Sequence, residues 1–275
     1  MQKLPMQKFS IDGREMAYLD QGQGPVVVFG HSYLWDSKMW APQVAALSDK
    51  YRCIVPEFWA HGDSQFAPET TRSLTDYARQ IVALMDQLNI DEFSIVGLSV
   101  GGMWGTEVVN LVPQRVKSLV LMDTFVGLEP EVMHNKYFAM LDTIAQAQVV
   151  PEAIVEAVTP LFFARNAQQN SPELVNGFRQ HLASLAGEQA VEVARMGKMV
   201  FGRRDQFEDI EKFALPVLIA VGQEDAPRPV LESYLMQDCI AGSELVQIPQ
   251  AGHISNLEQP EFVSQMLEQF LAKHA

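Results

Sequence analysis

The sequence predicts an α/β fold in which a mostly parallel central β-sheet is flanked by helices. Short apolar, β-branched runs alternate along the chain with stretches of helical periodicity. Most of these runs show no regular change between apolar and polar residues, which is typical of strands buried on both faces of a parallel sheet. A chain of 275 residues, 48% of them hydrophobic, is long enough to bury a large core.

The predicted strands begin with a hairpin and continue as six apolar runs. The hairpin joins QKFSID to REMAYLD through Asp12 and Gly13, a dipeptide typical of tight turns. The further strand candidates are PVVVFG, YRCIVPE, FSIVG, VKSLVLMD, PVLIAVG and ELVQIP. Helices are predicted over residues 40–48, 73–89, 103–111 and 258–273.

Residues 128–206 interrupt this alternation. The interval has no convincing strand, and its apolar residues have helical spacing, beginning with Met133, Tyr137, Met140, Leu141 and Ile144. A connection of this length inside an α/β domain needs structure of its own and often carries function. We interpret it as a helical cap inserted after the sixth strand, with residues 1–127 and 207–275 forming the core.

Composition and charge argue against several classes of protein. The formal net charge of −14 disfavours nucleic acids and anionic membranes as partners. No stretch approaches the roughly 18 uninterrupted apolar residues of a membrane span. The opening residues MQKLPMQKFSIDG lack the apolar run of a signal peptide. Cys53 and Cys239 lie far apart, so we expect no disulfide framework and a cytoplasmic protein. A homo-oligomer is compatible with these observations.

The segment FSIVGLSVGGMWG, residues 93–105, places one serine at a tight turn between a strand and a helix. Ser99 has glycines two positions before and after it, Gly97 and Gly101. Such a turn strains the backbone of its apex residue, and side chains at the two flanking positions would collide with neighbouring elements. The Ser99 hydroxyl would therefore be exposed at the strand's carboxyl end. The amide of Val100 would open a helix whose unpaired N–H groups favour negative charge.

A serine hydroxyl needs a base before it is an effective nucleophile. His253 lies in a glycine-containing loop between the last predicted strand and the last predicted helix, on the rim where the carboxyl ends of parallel strands meet. Asp225 follows the preceding strand on the same rim and is the preferred acid to orient the imidazole. Glu224 and Asp123, which ends VKSLVLMD, are alternative acids.

The chain order Ser99, Asp225, His253, together with five sequence segments, resembles the α/β-hydrolases. The segments are FGHSYLWDSKMWAPQ, PEFWAHGDS, GLSVGG, GQEDAPRP and AGHISNLEQP, and the resemblance covers almost the whole chain. Within the family the sequence is most similar to the esterase and lactonase branch, which includes 3-oxoadipate enol-lactonases and cofactor-free perhydrolase-like esterases. The resemblance implies a serine hydrolase that cleaves small to medium, largely apolar carboxylic esters or lactones through an acyl-enzyme intermediate.

The resemblance also implies further site residues. The backbone N–H groups of Tyr33 and Val100 would form the oxyanion hole. Ser32 stands where the family usually has glycine, and Leu34 where the perhydrolase group usually has proline, which puts peroxide chemistry in doubt. His31 and His61 are interpreted as supports of backbone turns. The predicted substrate-binding residues are His31, Trp59, Phe125, Met140 and Phe162.

No metal or organic cofactor is predicted. The sequence contains no Cys-x-x-Cys or His-Glu-x-x-His pattern, and no Gly-x-Gly-x-x-Gly follows a first strand. A serine rather than a carboxylate at the turn favours a serine ester over an alkyl-aspartate intermediate. Two alternatives stay open, namely a carbon–carbon bond hydrolase or perhydrolase of the same fold, and a non-catalytic ligand receptor. The cap arginines that could face an anionic substrate are Arg165, Arg203 and Arg204.

Overall fold

An eight-stranded sheet lies at the centre of the computed structural model, which describes residues 6–275. Residues 1–5 lie outside the described residues. They belong to the predicted core and open the segment inspected for a signal peptide. The strand order is β1-β2-β4-β3-β5-β6-β7-β8. The strands are β1 (Gln7–Ile11), β2 (Arg14–Gln21), β3 (Val26–Gly30), β4 (Arg52–Pro56), β5 (Phe93–Leu98), β6 (Val116–Met122), β7 (Val217–Gly222) and β8 (Glu244–Ile248).

All eight predicted strands are confirmed, and so is the mostly parallel sheet. β1 and β2 form an antiparallel hairpin whose second strand pairs antiparallel with β4. All pairs from β4 through β3, β5, β6 and β7 to β8 are parallel. Every residue of β5 and β7 is buried, because helices cover both faces of the sheet. This two-sided burial explains the continuous apolar runs.

Helices surround the sheet, and none formed by residues 6–275 is both long and apolar enough to cross a membrane. The prediction missed α9, α10 and most of α11, and it began α3 three residues late. α12 begins at a proline, a residue favoured in the first turn of a helix. The helices are α1 (Ala41–Leu47), α2 (Leu74–Gln87), α3 (Val100–Leu111), α4 (Glu131–Ala147), α5 (Glu152–Val158), α6 (Ala167–Asn170), α7 (Pro172–Ser184), α8 (Gly187–Phe201), α9 (Phe207–Ile210), α10 (Val230–Cys239), α11 (Ser255–Glu258) and α12 (Pro260–His274).

The segment between β6 and β7 is helical, as predicted. We call residues 128–206 the cap segment; it contains α4 to α8, and α4 packs along α8. An isolated antiparallel β-bridge pairs Val149, which follows α4, with Ala186, which precedes α8. The division of the chain into a core domain and a cap domain stays an interpretation.

The nucleophile turn depends on direct contact between backbones. A Cβ atom on Gly101 would lie 2.2 Å from the carbonyl oxygen of Gly30, the last residue of β3. A Cβ on Gly97 would lie 2.3 Å from the carbonyl of Gly101. These distances leave no room for a methyl group, so α3 can approach the sheet this closely only with glycine at both positions. The same contact explains why α3 starts at Val100, before its glycines.

We expect Gly101→Ala to lower the free energy of unfolding by roughly 1–3 kcal/mol or more, because the methyl group overpacks a rigid backbone contact. Gly177→Ala is the matched control, since a Cβ there meets nothing within 4 Å on the exposed face of α7. That substitution should raise stability by about 0.5–1 kcal/mol through helix propensity. Urea unfolding of both variants measures the difference, and equal stabilities would contradict the backbone contact.

Candidate active site

Ser99 lies at the apex of the turn between β5 and α3. Its φ of 56° and ψ of −118° are unusual for any residue with a side chain. Strain of this kind costs about 1–3 kcal/mol and persists only where neighbouring groups hold it. The Ser99 N–H donates to the carbonyl of Met122 at 2.9 Å, and the Ser99 carbonyl accepts from the Thr124 hydroxyl at 2.6 Å. The end of β6 and the residues after it therefore fix the serine.

Asp225 lies in the loop after β7 and His253 in the loop after β8, and the two side chains meet at the carboxyl ends of these strands. The imidazole Nδ1 lies 3.0 Å from Asp225 Oδ2 and 3.2 Å from Oδ1, and both residues are buried. Asp225 Oδ1 also accepts the backbone N–H of Arg228 at 2.9 Å, which fixes the carboxylate. A proton on Nδ1 is held by the carboxylate, so Nε2 is left as the basic nitrogen.

Ser99 and His253 line the same cavity. No hydrogen bond joins Ser99 Oγ to His253 Nε2 in the described part of the chain. Hydrogen bonds between a nucleophile and its base are often long in unliganded enzymes and shorten when substrate binds. Ser99, with its strained backbone, and His253, oriented by Asp225, therefore lie on the wall of one cavity.

The cap segment touches the histidine loop directly. The ring of Phe162 packs edge-on against the His253 imidazole, with ring centroids 5.3 Å apart. The carbonyl of Phe162 accepts the N–H of Ile254 at 3.1 Å. A Cβ on Gly252 would lie 2.4 Å from the carbonyl carbon of Phe163. Residues 162–163 therefore help to set the position of the proposed base.

The two alternative acids occupy other environments. Asp123 Oδ1 accepts the N–H of Gly222 at 2.7 Å, and its Oδ2 accepts the hydroxyl of Ser255. Burial, and then the charge of Asp225, raise the pKa of Asp123 well above its usual range, which favours the uncharged carboxyl group. Glu224 accepts the backbone N–H of Arg165 at 2.9 Å. Neither carboxyl group hydrogen-bonds the imidazole of His253, so Asp225 is the carboxylate that contacts it.

Two backbone N–H groups are available beside Ser99. Val100 is the first residue of α3, so its N–H has no partner within the helix. The N–H of Tyr33 donates to no acceptor among residues 6–275, and Tyr33 lines the cavity. The Tyr33 phenol points away from the reaction centre, because it donates to the carbonyl of Val193 in α8 at 2.8 Å. Ser32 turns its hydroxyl toward the carbonyl of Tyr33 at 3.3 Å, so its side chain bonds within its own loop.

His31 supports this loop and does not line the cavity. Its Nδ1 donates to the carbonyl of Ser32 at 2.8 Å, and its Nε2 accepts the N–H of Phe58 at 2.8 Å. Both ring nitrogens are therefore used by the backbone in the neutral imidazole. Burial lowers the pKa of His31, which keeps that form. His31 was also predicted to bind substrate, and the cavity lining does not include it.

His61 makes a second connection of the same kind. Its Nδ1 donates to the carbonyl of Trp59 at 2.8 Å, and its Nε2 accepts the N–H of Leu34 at 3.1 Å. Burial, and then the charge of the neighbouring His31, lower the pKa of His61 to about 3. Leu34 has a φ of 70°, so this hydrogen bond helps to hold a left-handed residue next to the proposed oxyanion donor.

The cavity of about 100 Å³ is mainly apolar. Among the predicted substrate-binding residues, Met140 and Phe162 line it, and Trp59 and Phe125 do not. Trp59 is fully buried and donates its indole N–H to Gln80 at 2.7 Å, whereas Phe125 packs against a neighbouring aromatic ring. The apolar cap residues of the wall include Tyr137, Met140, Leu141, Ile144, Ile154, Val158, Leu161, Leu182, Leu185, Val193 and Phe201.

Sequence reasoning missed Arg228, a charged residue on the cavity wall. It lies in GQEDAPRP, a segment in which the sequence pattern drew attention only to the acid. Its Nη2 donates to Glu129 Oε2 at 2.6 Å, and the same oxygen accepts Nη1 of Arg203 at 2.9 Å. Arg204 instead pairs with Glu107. Within residues 6–275, no three His, Cys, Asp or Glu side chains are grouped so that they could hold a metal ion.

Comparison with known proteins agrees with this geometry. Residues 25–260 match the family model described as alpha/beta hydrolase fold. The chain belongs to the α/β-hydrolase family. This hydrolase is 24% identical over 252 residues to 3-oxoadipate enol-lactonase 2 of Acinetobacter baylyi, which covers 92% of this chain and 90% of that protein.

Solved structures show the same fold over nearly the whole length. A thermophilic esterase from Thermogutta terrifontis superposes with a TM-score of 0.88 at 28% identity, covering 98% of each chain. An enol-lactonase from Burkholderia xenovorans gives a TM-score of 0.86 at 24% identity, covering 97% of this chain and 100% of that one. The second likeness concerns the fold alone.

We expect the stability of the hydrolase to fall as the pH decreases from about 6.5 toward 3. His61 has a folded-state pKa of about 3 against an ordinary value of 6.5, so the unfolded chain binds the extra proton in this range. His61→Gln should reduce the slope of the unfolding free energy against pH by up to about 1.4 kcal/mol per pH unit. Urea unfolding at several pH values measures it, with His274→Gln as control. An unchanged slope in His61→Gln would contradict the buried neutral histidine.

Proposed function

We propose that this hydrolase cleaves carboxylic esters or lactones by transferring the acyl group to water. The observation that carries the proposal is the Asp225–His253 hydrogen bond beside a strained Ser99 on the same apolar cavity. An enol-lactonase and an esterase among its relatives support the same reaction type.

In the first step, His253 Nε2 takes the proton of Ser99 Oγ while the oxygen attacks the substrate carbonyl carbon. The imidazolium that forms is stabilised by Asp225, which remains ionised. Collapse of the tetrahedral intermediate releases the alcohol, which receives its proton from Nε2. Water then gives a proton to Nε2 while its oxygen attacks the acyl carbon. The second tetrahedral intermediate breaks its bond to Ser99 Oγ, which takes the proton back from Nε2, and the carboxylic acid leaves.

Negative charge develops on the carbonyl oxygen during both attacks. The unpaired N–H groups of Tyr33 and Val100 would donate to it, and the N-terminus of α3 adds a favourable dipole. The loss of one donor in such a site typically lowers the rate by about 10² to 10³. Here both donors are backbone groups, so their contribution depends on the loop that His31 and His61 hold.

The cavity wall supports small to medium, largely apolar acyl groups as substrates. Its cap residues are aliphatic or aromatic, and burying a chain against them gains about 25 cal/mol per Å² of apolar surface. Met196 is fully buried but lies outside the wall, whereas Met140 lies on it. Chain-length preference is therefore assigned to Met140 and its neighbours on the wall.

We expect Ser99→Ala to lower the turnover of p-nitrophenyl acetate and butyrate by several orders of magnitude, because no other group would form the acyl-enzyme. Circular dichroism should show an intact fold. Ser184→Ala removes a hydroxyl from the exposed end of α7 and should retain wild-type turnover. Retention of more than about a tenth of the activity in Ser99→Ala would exclude it as nucleophile. A carbon–carbon cleavage substrate in the same panel tests the alternative reaction.

Asp225→Asn should be far more damaging to kcat than Asp123→Asn. The first change removes the charge that supports the imidazolium and replaces an acceptor of Nδ1–H with an amide. The second replaces a carboxyl group that does not contact the imidazole, and whose uncharged form is favoured by burial, with an amide of the same shape. Turnover of the same ester is the measurement. A larger fall of kcat in Asp123→Asn would contradict Asp225 as the acid and indicate Asp123, which follows β6.

A further inference from the structure

Arg228 and Tyr137 are polar residues that line the cavity and have no part in the proposed mechanism. Within residues 6–275, the Tyr137 hydroxyl takes part in no hydrogen bond, and Nε of Arg228 donates none. A polar group that borders an apolar cavity and has no protein partner can be satisfied there by a polar atom of a ligand.

Tyr137 and Arg228 both belong to the wall of this cavity. The ring of Tyr137 stacks on Phe201, with centroids 4.2 Å apart, and this packing fixes the direction of the phenol. Both residues line the cavity of about 100 Å³, and the positive charge of Arg228 opposes the rise that burial causes in the pKa of Tyr137. We call this pair the Arg228–Tyr137 subsite.

The positive charge of Arg228 is already balanced. Its Nη2 donates to Glu129 at 2.6 Å, and its Nη1 lies 3.5 Å from Glu232. Arg203 shares Glu129, and its Nε and Nη2 are buried without a partner. Two arginines therefore face two carboxylates, so the cluster has no net formal charge but more donors than acceptors.

This balance decides which ligand chemistry the subsite suits. A methyl-terminated chain would leave the Tyr137 hydroxyl and Arg228 Nε unpaired. A carboxylate would bring an extra charge into an apolar cavity next to the carboxylates of Glu129 and Glu232, at a large desolvation cost. An uncharged oxygen can accept hydrogen bonds from Arg228 Nε–H and the Tyr137 hydroxyl. It therefore leaves neither donor unpaired and adds no charge to the cavity.

We propose that the Arg228–Tyr137 subsite binds an uncharged oxygen, a ketone or a hydroxyl group, on the substrate portion that fills the cavity. The proposal rests on the proposed ester or lactone hydrolysis and names its substrate class as oxo- or hydroxy-substituted acyl esters and lactones. Arg228 and Tyr137 would act as specificity-determining residues, since neither contacts the reacting atoms.

The experiment compares kcat/KM for methyl hexanoate, its 3-oxo and 5-oxo derivatives, and monomethyl adipate. The wild-type hydrolase should prefer one oxo ester over methyl hexanoate by about tenfold or more, because a site built to hydrogen-bond an oxygen rejects the analogue without it. In Tyr137→Phe this ratio should fall toward unity. Tyr234→Phe, a change on the exposed face of α10, should keep the wild-type ratio.

Two results would overturn the subsite. One is an oxo-to-hexanoate ratio that Tyr137→Phe leaves unchanged, and the other is a wild-type preference for monomethyl adipate. Equilibrium binding of the oxo ester to Ser99→Ala, with and without Tyr137→Phe, tests the same contact without turnover, and equal affinities would also overturn it. Absence of hydrolysis of all four esters would contradict the proposed function, whereas hydrolysis without oxo preference contradicts only the subsite.

Discussion

The contact between the backbones of Gly30 and Gly101 is the constraint on which the proposed site depends. Gly30 ends β3, directly before the loop that carries the Tyr33 amide, and Gly101 follows Ser99 by two residues. Their approach sets the distance between the two proposed oxyanion donors. It also brings the N-terminus of α3 against the sheet, where Ser99 takes its strained conformation. One steric fact thus fixes the nucleophile and the oxyanion donors together.

Several buried ionisable groups serve the site in their neutral forms. His31 and His61 each use both ring nitrogens on backbone groups, and burial lowers the pKa of both. Asp123 lies between Gly222 and Ser255, and burial raises its pKa, which favours the uncharged carboxyl group. A neutral imidazole or carboxyl group can hold two backbones together without the desolvation cost of a buried charge. The other ionisable groups at the site are the Asp225–His253 pair and the cluster of Arg203 and Arg228 with Glu129 and Glu232.

The sequence predicted the fold and most of its elements because their signals are local. Two-sided burial leaves continuous apolar runs, and a glycine-flanked serine between strand and helix has few other uses. Side-chain direction is not a local property. Trp59 and Phe125 lie near motifs, yet one is packed in the core and the other against Phe207, so neither lines the cavity as the substrate-binding prediction requires. Arg228 was missed because its exposure to the cavity depends on Glu129, 99 residues earlier in the chain.

The contact between the cap segment and the histidine loop has a consequence for protein engineering. Phe162 packs on the His253 ring and accepts the N–H of Ile254, and Gly252 leaves no space between that loop and Phe163. A chimera that exchanged the whole segment between β6 and β7 would therefore replace one side of the imidazole's surroundings along with the specificity wall. Grafts that keep residues 162–163 with the recipient scaffold, and exchange the helices on either side, would separate substrate choice from the placement of the base.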